Sequence, residues 1–205
     1  MQSRELEQFL AARTDRSASF LDQVARALRQ VGMMPSGGRG VGAPHLQSKH
    51  VANFLIGAAM CRTAGEAPGI VKRYGSLVAR VDLPFPEIAH GKQTGGFITS
   101  PLNTLGRPGE AVTFRAAFTA LLEGRGRNGE VGKITLYRWP TFRGLMGVAM
   151  ARCNLGEFLP RGQLDMTKAE HHRWFAAEHE VVEENVIFGD KFMAGIMTLM
   201  GGSAC

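Results

Sequence analysis

The sequence has few of the residues that build disulfide frameworks or zinc sites. Its 205 residues include three cysteines, Cys61, Cys153 and Cys205, which lie far apart in the chain. An odd number of widely separated cysteines, without a Cys-x-x-Cys pair, predicts neither a disulfide framework nor a zinc site. We therefore expect no structural metal and no disulfide-rich secreted fold.

Long apolar segments are also lacking. The longest apolar run, residues 51–61, is interrupted by Asn53 and is too short to span a bilayer. Residues 2–5 are polar and already include an acidic side chain, so an apolar core of a secretory signal is not expected there. These features predict a cytoplasmic protein with no membrane partner.

Motifs for catalysis are missing as well. The glycine-rich segments at residues 37–40 and 95–96 lack the Gly-Lys-Ser/Thr ending of a phosphate loop, and no serine or cysteine lies in a nucleophile elbow. His171, His172 and His179 lie among glutamates, but their spacing does not match a helical metal-ligand pair, and a solvated face is favoured. The prediction is a protein that is not an enzyme and holds no metal or cofactor; a small enzyme or enzyme inhibitor built on the C-terminal residues is the weakest alternative.

What the chain does contain is a localised positive charge. Residues 1–80 carry 11 Lys and Arg against 5 Asp and Glu, whereas residues 81–205 carry 13 of each, so the net charge of +6 belongs to the first part. Such an asymmetry favours a polyanionic partner, nucleic acid first and a membrane surface second, although a merely basic domain has the same composition. The hydrophobic fraction of 44% predicts a true core, and the 26 glycines predict many turns.

Apolar periodicity predicts four helices in residues 1–80, at about 4–13, 20–31, 48–60 and 69–81. Ser17 or Ser19 is expected to cap the second helix and Gly32 to end it, and Ser48 is expected to cap the third. The apolar side of the second helix is expected to include Phe20, Leu21, Val24, Leu28 and Val31. Residues 36–45 hold four glycines and Arg39, which favours a tight basic hairpin or wing rather than a helix.

The second predicted helix carries hydrogen-bonding side chains along its polar side, namely Ser19, Gln23, Arg26 and Gln30. Arginine and glutamine pair with the edges of guanine and adenine in the major groove, which admits one helix. Arg16, Arg29 and Lys49 are expected to reach the flanking phosphates. A polar face that merely meets water is the more common meaning of such a helix taken alone. The preceding helix and the glycine-rich loop that follows favour the DNA-binding interpretation.

At residues 24–35, Val-Ala-Arg-Ala-Leu-Arg-Gln-Val-Gly-Met-Met-Pro, followed by Ser-Gly-Gly-Arg-Gly, the sequence resembles the MerR-type winged helix-turn-helix. Residues 37–46 also resemble a stretch found in phage-derived regulatory proteins of proteobacteria. The resemblance covers about the first 50 residues; it departs at Ala25 and Ala27, where the family usually has aromatic residues, and residues 110–205 lack the family's long dimerising helix. It implies that Gln23 and Arg26 approach bases and that Arg39 lies in the wing, against the backbone or minor groove.

The rest of the chain predicts a connector and a second domain. Residues 81–109 hold four of the nine prolines and several glycines, as expected of a linker. Residues 110–205 predict a helix at 110–122, strands at 131–139, 147–154 and 178–188, and a last helix capped by Asp190 that ends near Met200. The predicted fold class is therefore α+β: a helix-turn-helix-like module at 1–80, a connector at 81–109, and a small α+β domain at 110–205.

These features together predict a sequence-specific, double-stranded DNA-binding transcriptional regulator, related to phages or mobile elements. The C-terminal domain is expected to form a homodimer or to contact a partner such as RNA polymerase. An alternative is a phage DNA-packaging or assembly protein, in which a DNA-binding domain is joined to an oligomerising domain.

Overall fold

A computed structural model describes residues 1–37, 42–79, 113–123, 132–137, 143–148, 153–159 and 185–201. The helices in these ranges are α1 (Ser3–Ala11), α2 (Ala18–Gln30), α3 (Ser48–Met60), α4 (Ala67–Gly75), α5 (Phe114–Leu122) and α6 (Asp190–Leu199). A single 3₁₀ turn, Ala64–Glu66, precedes α4. The strands are β1 (Val78–Ala79), β2 (Gly132–Tyr137), β3 (Arg143–Val148), β4 (Cys153–Leu159) and β5 (Asn185–Phe188). The described fold thus combines helices with a sheet, and helical residues predominate.

Local side-chain chemistry sets both ends of α2. The Ser17 hydroxyl accepts a hydrogen bond from the Phe20 amide at 3.2 Å, which selects Ser17 over Ser19 as the cap. At the other end, Gly32 adopts a left-handed φ of 72°, and the Met33 amide donates to the Leu28 carbonyl at 2.9 Å. This glycine-based ending was predicted and is confirmed.

Two predicted caps are wrong by one residue. Gln47, not Ser48, precedes the first turn of α3; its amide donates to His50 Nδ1 at 3.1 Å, and Ser48 lies inside the helix, 8% exposed. Gly189 likewise precedes α6, and Asp190 is the first helical residue. In α3, the imidazole acceptor three residues after Gln47 takes the role that a capping-box glutamate usually has.

Several predicted element boundaries need correction. The predicted helix at 69–81 is α4, which ends at Gly75 and is followed by β1. The predicted strand at 147–154 is wrong: Gly147 belongs to β3 and Asn154 to β4, and the two residues pair across an antiparallel register. Of the predicted strand at 178–188, residues 185–188 form β5 and the others lie outside the described residues.

The strands form one antiparallel sheet in the order β1-β4-β3-β2-β5. On β2, Ile134 lies opposite Met146 of β3 on one side and opposite Phe188 of β5 on the other. Ile134, Leu136 and Phe188 are buried, whereas Ile187 is 51% exposed, so alternate residues of β5 face opposite sides of the sheet.

One hydrophobic cluster joins both predicted domains. It includes Leu6 of α1, Phe54 of α3, Phe118 of α5, Leu136 of β2 and Met193 of α6, all buried. The amide of Phe114 donates to the Leu77 carbonyl at 2.8 Å, which brings the start of α5 against the end of the N-terminal segment. The predicted connector, residues 81–109, lies outside the described residues.

Candidate nucleic-acid interface

The predicted polar side chains of the second helix (Ser19, Gln23, Arg26 and Gln30, the exposed stripe) lie on the solvent side of α2. Leu21, Val24, Ala25 and Leu28 are completely buried, and they anchor the opposite side of the helix in the core. Ser19, Gln23, Arg26 and Gln30 are exposed. The predicted placement of these four polar residues at the surface is confirmed, because the apolar residues on the other side decide which face of α2 is buried.

The prediction that Val31 lies on the buried apolar side of α2 is wrong. It is 53% exposed, although its spacing placed it with the core residues. Val31 is the C-terminal cap residue, with φ −105° and ψ 11°, so the chain has already left helical geometry there. The exposed stripe of α2 therefore ends in an apolar side chain next to Gln30.

Arg26 forms an ion pair within the exposed stripe. Its Nε lies 2.8 Å and its Nη2 lies 2.7 Å from the same carboxylate oxygen, Oδ2 of Asp22. The Arg26 and Asp22 side chains are 62% and 40% exposed, respectively, so water reaches the pair. Asp22 was not among the predicted site residues, although its position four residues before Arg26 is the spacing of a helical ion pair.

Arg29 connects α2 to α1. Its Nη2 donates to the Ser3 hydroxyl at 2.6 Å and lies 3.6 Å from Oε1 of Glu7, to which the Ser3 hydroxyl also donates at 2.6 Å. The side chain is only partly exposed. In this arrangement the guanidinium stabilises the contact between the two helices; the predicted phosphate contact of Arg29 stays a prediction.

Arg16 has a similar position at the end of α3. Its Nη2 donates to the carbonyls of Ala59 and Cys61, at 3.2 and 3.1 Å, and its guanidinium lies 4.8 Å from the centre of the Phe20 ring. A cation near the last carbonyls of a helix is stabilised by the helix dipole. The structure thus gives Arg16 an intramolecular role, and the predicted phosphate contact stays a prediction.

The two remaining predicted residues belong to other segments. Lys49 is exposed in the first turn of α3, and Arg39 lies outside the described residues. Of residues 36–45, the described positions (36–37 and 42–45) contain no strand, and the predicted wing is not tested there. Beside Lys49, the pKa of His50 is lowered by burial and by the charge of Lys49. The neutral imidazole is therefore favoured, which leaves Nδ1 free to accept from the Gln47 amide.

The described residues contain no group of three or more metal-binding side chains, and the predicted histidine and glutamate cluster at 170–180 lies outside them. Among the described helices, none has the length and apolar character required to cross a membrane. The geometry instead presents hydrogen-bond donors and acceptors on α2, with Lys49 exposed on α3.

Comparison of the chain with protein-family models, curated proteins and solved structures gives no match. The resemblance to the MerR-type module therefore stays a prediction from residues 24–40.

Proposed function

We propose that the protein is a sequence-specific regulator of transcription that binds double-stranded DNA through α2. The observation that supports this proposal is the two-sided character of the helix. One side is held by four completely buried residues, and the other presents Ser19, Gln23, Arg26 and Gln30 to solvent. A helix with one side buried in the core and with exposed amide and guanidinium groups on the other has the chemistry needed to contact base edges.

The anchoring of α2 adds to this support. Arg29 connects the helix to α1, and Arg16 connects its N-terminal end to the last turn of α3. A recognition helix needs a fixed orientation, because a small displacement moves every side chain relative to the groove. In this proposal Arg16 and Arg29 orient α2 in addition to contacting the flanking phosphates, Arg26 approaches a base, and Lys49 contacts a phosphate.

We include the helix-turn-helix arrangement in the proposal. Helix α1 and the six residues that separate it from α2 would form the first part of the module. Residues 36–45 would form a wing that carries Arg39. A homodimer would bring two copies of α2 to successive major-groove sites, as half-site recognition requires, and a partner such as RNA polymerase would contact the sheet domain.

A salt titration tests the proposal. The purified protein is mixed with genomic DNA fragments, and retained DNA is measured as the salt concentration rises for wild type, Arg26→Ala and Arg4→Ala. We expect wild-type affinity to fall with salt, as phosphate contacts require, and the preference for enriched fragments to be lost in Arg26→Ala. Arg4 is exposed on α1 and is a charge-matched control that should keep the preference. Failure of the wild-type protein to bind duplex DNA at moderate salt would reject the proposal.

An assembly or packaging protein is the second candidate, and the position of β5 favours it. This strand lies at the edge of the described sheet, next to β2 only, and Ile187 on it is 51% exposed. A strand at the edge of a sheet can pair with a strand of another chain. Light scattering distinguishes the two candidates: a ring-sized species with little sequence preference favours assembly, whereas a dimer with strong preference favours regulation.

A further inference from the structure

We infer that Asp22 is a positioning residue for base recognition by Arg26, and that the base so recognised is guanine. The inference rests on the proposed binding of DNA by α2 and names the kind of base pair which that helix reads.

The carboxylate of Asp22 occupies one side of the Arg26 guanidinium. A single oxygen, Oδ2, accepts a hydrogen bond from Nε at 2.8 Å and lies 2.7 Å from Nη2. A guanidinium has five N–H groups, and this contact covers the one on Nε and the adjacent one on Nη2. The other hydrogen of Nη2 and both hydrogens of Nη1 remain, and one from each nitrogen forms a parallel pair at the outer edge.

The two remaining N–H donors of Arg26 determine which base it can bind. Guanine presents two acceptors, O6 and N7, side by side in the major groove, and these match two parallel donors. Adenine presents the acceptor N7 and the amino donor N6 at the same positions, so its amino group would face an N–H donor of Arg26. A guanidinium held by Asp22 is therefore suited to guanine and unsuited to adenine.

The ion pair serves recognition more than folding. Water reaches both side chains, which are 62% and 40% exposed, and such ion pairs contribute little to stability. Holding the long arginine side chain in one orientation before binding reduces the conformational entropy lost on contact. The carboxylate also repels phosphate, which disfavours the movement of Arg26 from the base to the DNA backbone. Both effects raise the ratio of specific to non-specific affinity.

A set of four variants tests the role of Asp22: Asp22→Asn, Arg26→Ala, the double variant, and Asp15→Asn. Asp15 is an exposed acidic residue just before α2, so its variant controls for the loss of one negative charge. The measured quantity is the ratio of affinities for a duplex enriched from a random pool and for a scrambled duplex. We expect Asp22→Asn to lower this ratio roughly 2- to 5-fold. Asp15→Asn should leave it unchanged, and the double variant should match Arg26→Ala.

A modified base tests the identity of the recognised group. Each guanine of the enriched duplex is replaced in turn by 7-deazaguanine, which keeps Watson–Crick pairing but lacks N7. At one position we expect wild-type affinity to fall about 5-fold or more, and Arg26→Ala to be insensitive to the same replacement.

Three outcomes overturn the inference. If Asp22→Asn binds with the wild-type ratio, Asp22 does not position Arg26. If no guanine replacement distinguishes wild type from Arg26→Ala, the recognised base is not guanine. In both cases DNA is still bound, so the proposed function survives; if the wild-type protein binds no DNA, the inference and the proposed function fall together.

Discussion

Arg29 joins the first two helices through Ser3 and Glu7 on α1. Because the Glu7 and Arg29 side chains are both largely shielded from water, the removal of Arg29 leaves a partly buried carboxylate without its cation. We expect Arg29→Ala to lower the free energy of unfolding by about 1–3 kcal/mol. Arg4→Ala, on the exposed side of α1, should change it by less than about 0.5 kcal/mol. Urea denaturation of both variants measures the difference, and equal midpoints would show that Arg29 is not a structural contact.

The lowered pKa of His50 predicts that the stability of the fold depends on pH. Burial and Lys49 lower its pKa in the folded chain, so the unfolded chain binds this proton at higher pH. The stability associated with the neutral imidazole is present above the ordinary value of about 6.5 and is lost as the pH falls through the lowered value. We expect His50→Gln, which keeps a capping acceptor, to lose less stability than wild type between about pH 7.5 and pH 5. Parallel urea titrations at the two values check this; identical losses in the two proteins would contradict it.

At the scale of single helices, the conformation of Gly32 decides where α2 ends. Its φ is 72°, and a Cβ added there would meet nothing within 4 Å, so any cost of alanine comes from the backbone alone. We expect Gly32→Ala to destabilise the protein by about 1–2 kcal/mol. Gly69, inside α4, also has open space around a Cβ but lacks a positive φ, so Gly69→Ala should stabilise by about 0.4–1 kcal/mol. Thermal unfolding compares the two variants; a change of the same sign in both would contradict this account.

The helices of the first 80 residues could be predicted because their signals are local. The Ser17 cap, the Gly32 ending and the apolar spacing of Leu21, Val24 and Leu28 act within one or two turns. The division between β3 and β4 could not be predicted, because the pairing of Gly147 with Asn154 depends on a register between strands. The intramolecular contacts of Arg16 and Arg29 depend on partners 45 and 26 residues away. Spacing along the sequence therefore does not reveal whether an arginine contacts a neighbouring helix.

At the scale of the whole molecule, the shared hydrophobic cluster predicts one cooperative unit. Phe54 of α3, Phe118 of α5 and Leu136 of β2 all belong to it. We expect a single unfolding transition, because no part of the cluster can open without exposing the rest. Both tryptophans, Trp139 and Trp174, lie in the second half of the chain, whereas most described helical residues lie in the first. Tryptophan fluorescence and far-ultraviolet circular dichroism should therefore give coincident urea curves; separate midpoints would indicate two independent domains.

Recognition of DNA sequence by the exposed side of α2 is tested by comparing wild type with Arg26→Ala. Each protein is titrated with an enriched duplex and with a scrambled duplex of equal length at one salt concentration. We expect Arg26→Ala to reduce affinity for the enriched duplex about 5- to 150-fold and to affect the scrambled duplex far less, because a base contact carries sequence preference. Equal loss on both duplexes, or no loss on either, would show that α2 does not recognise DNA sequence through Arg26.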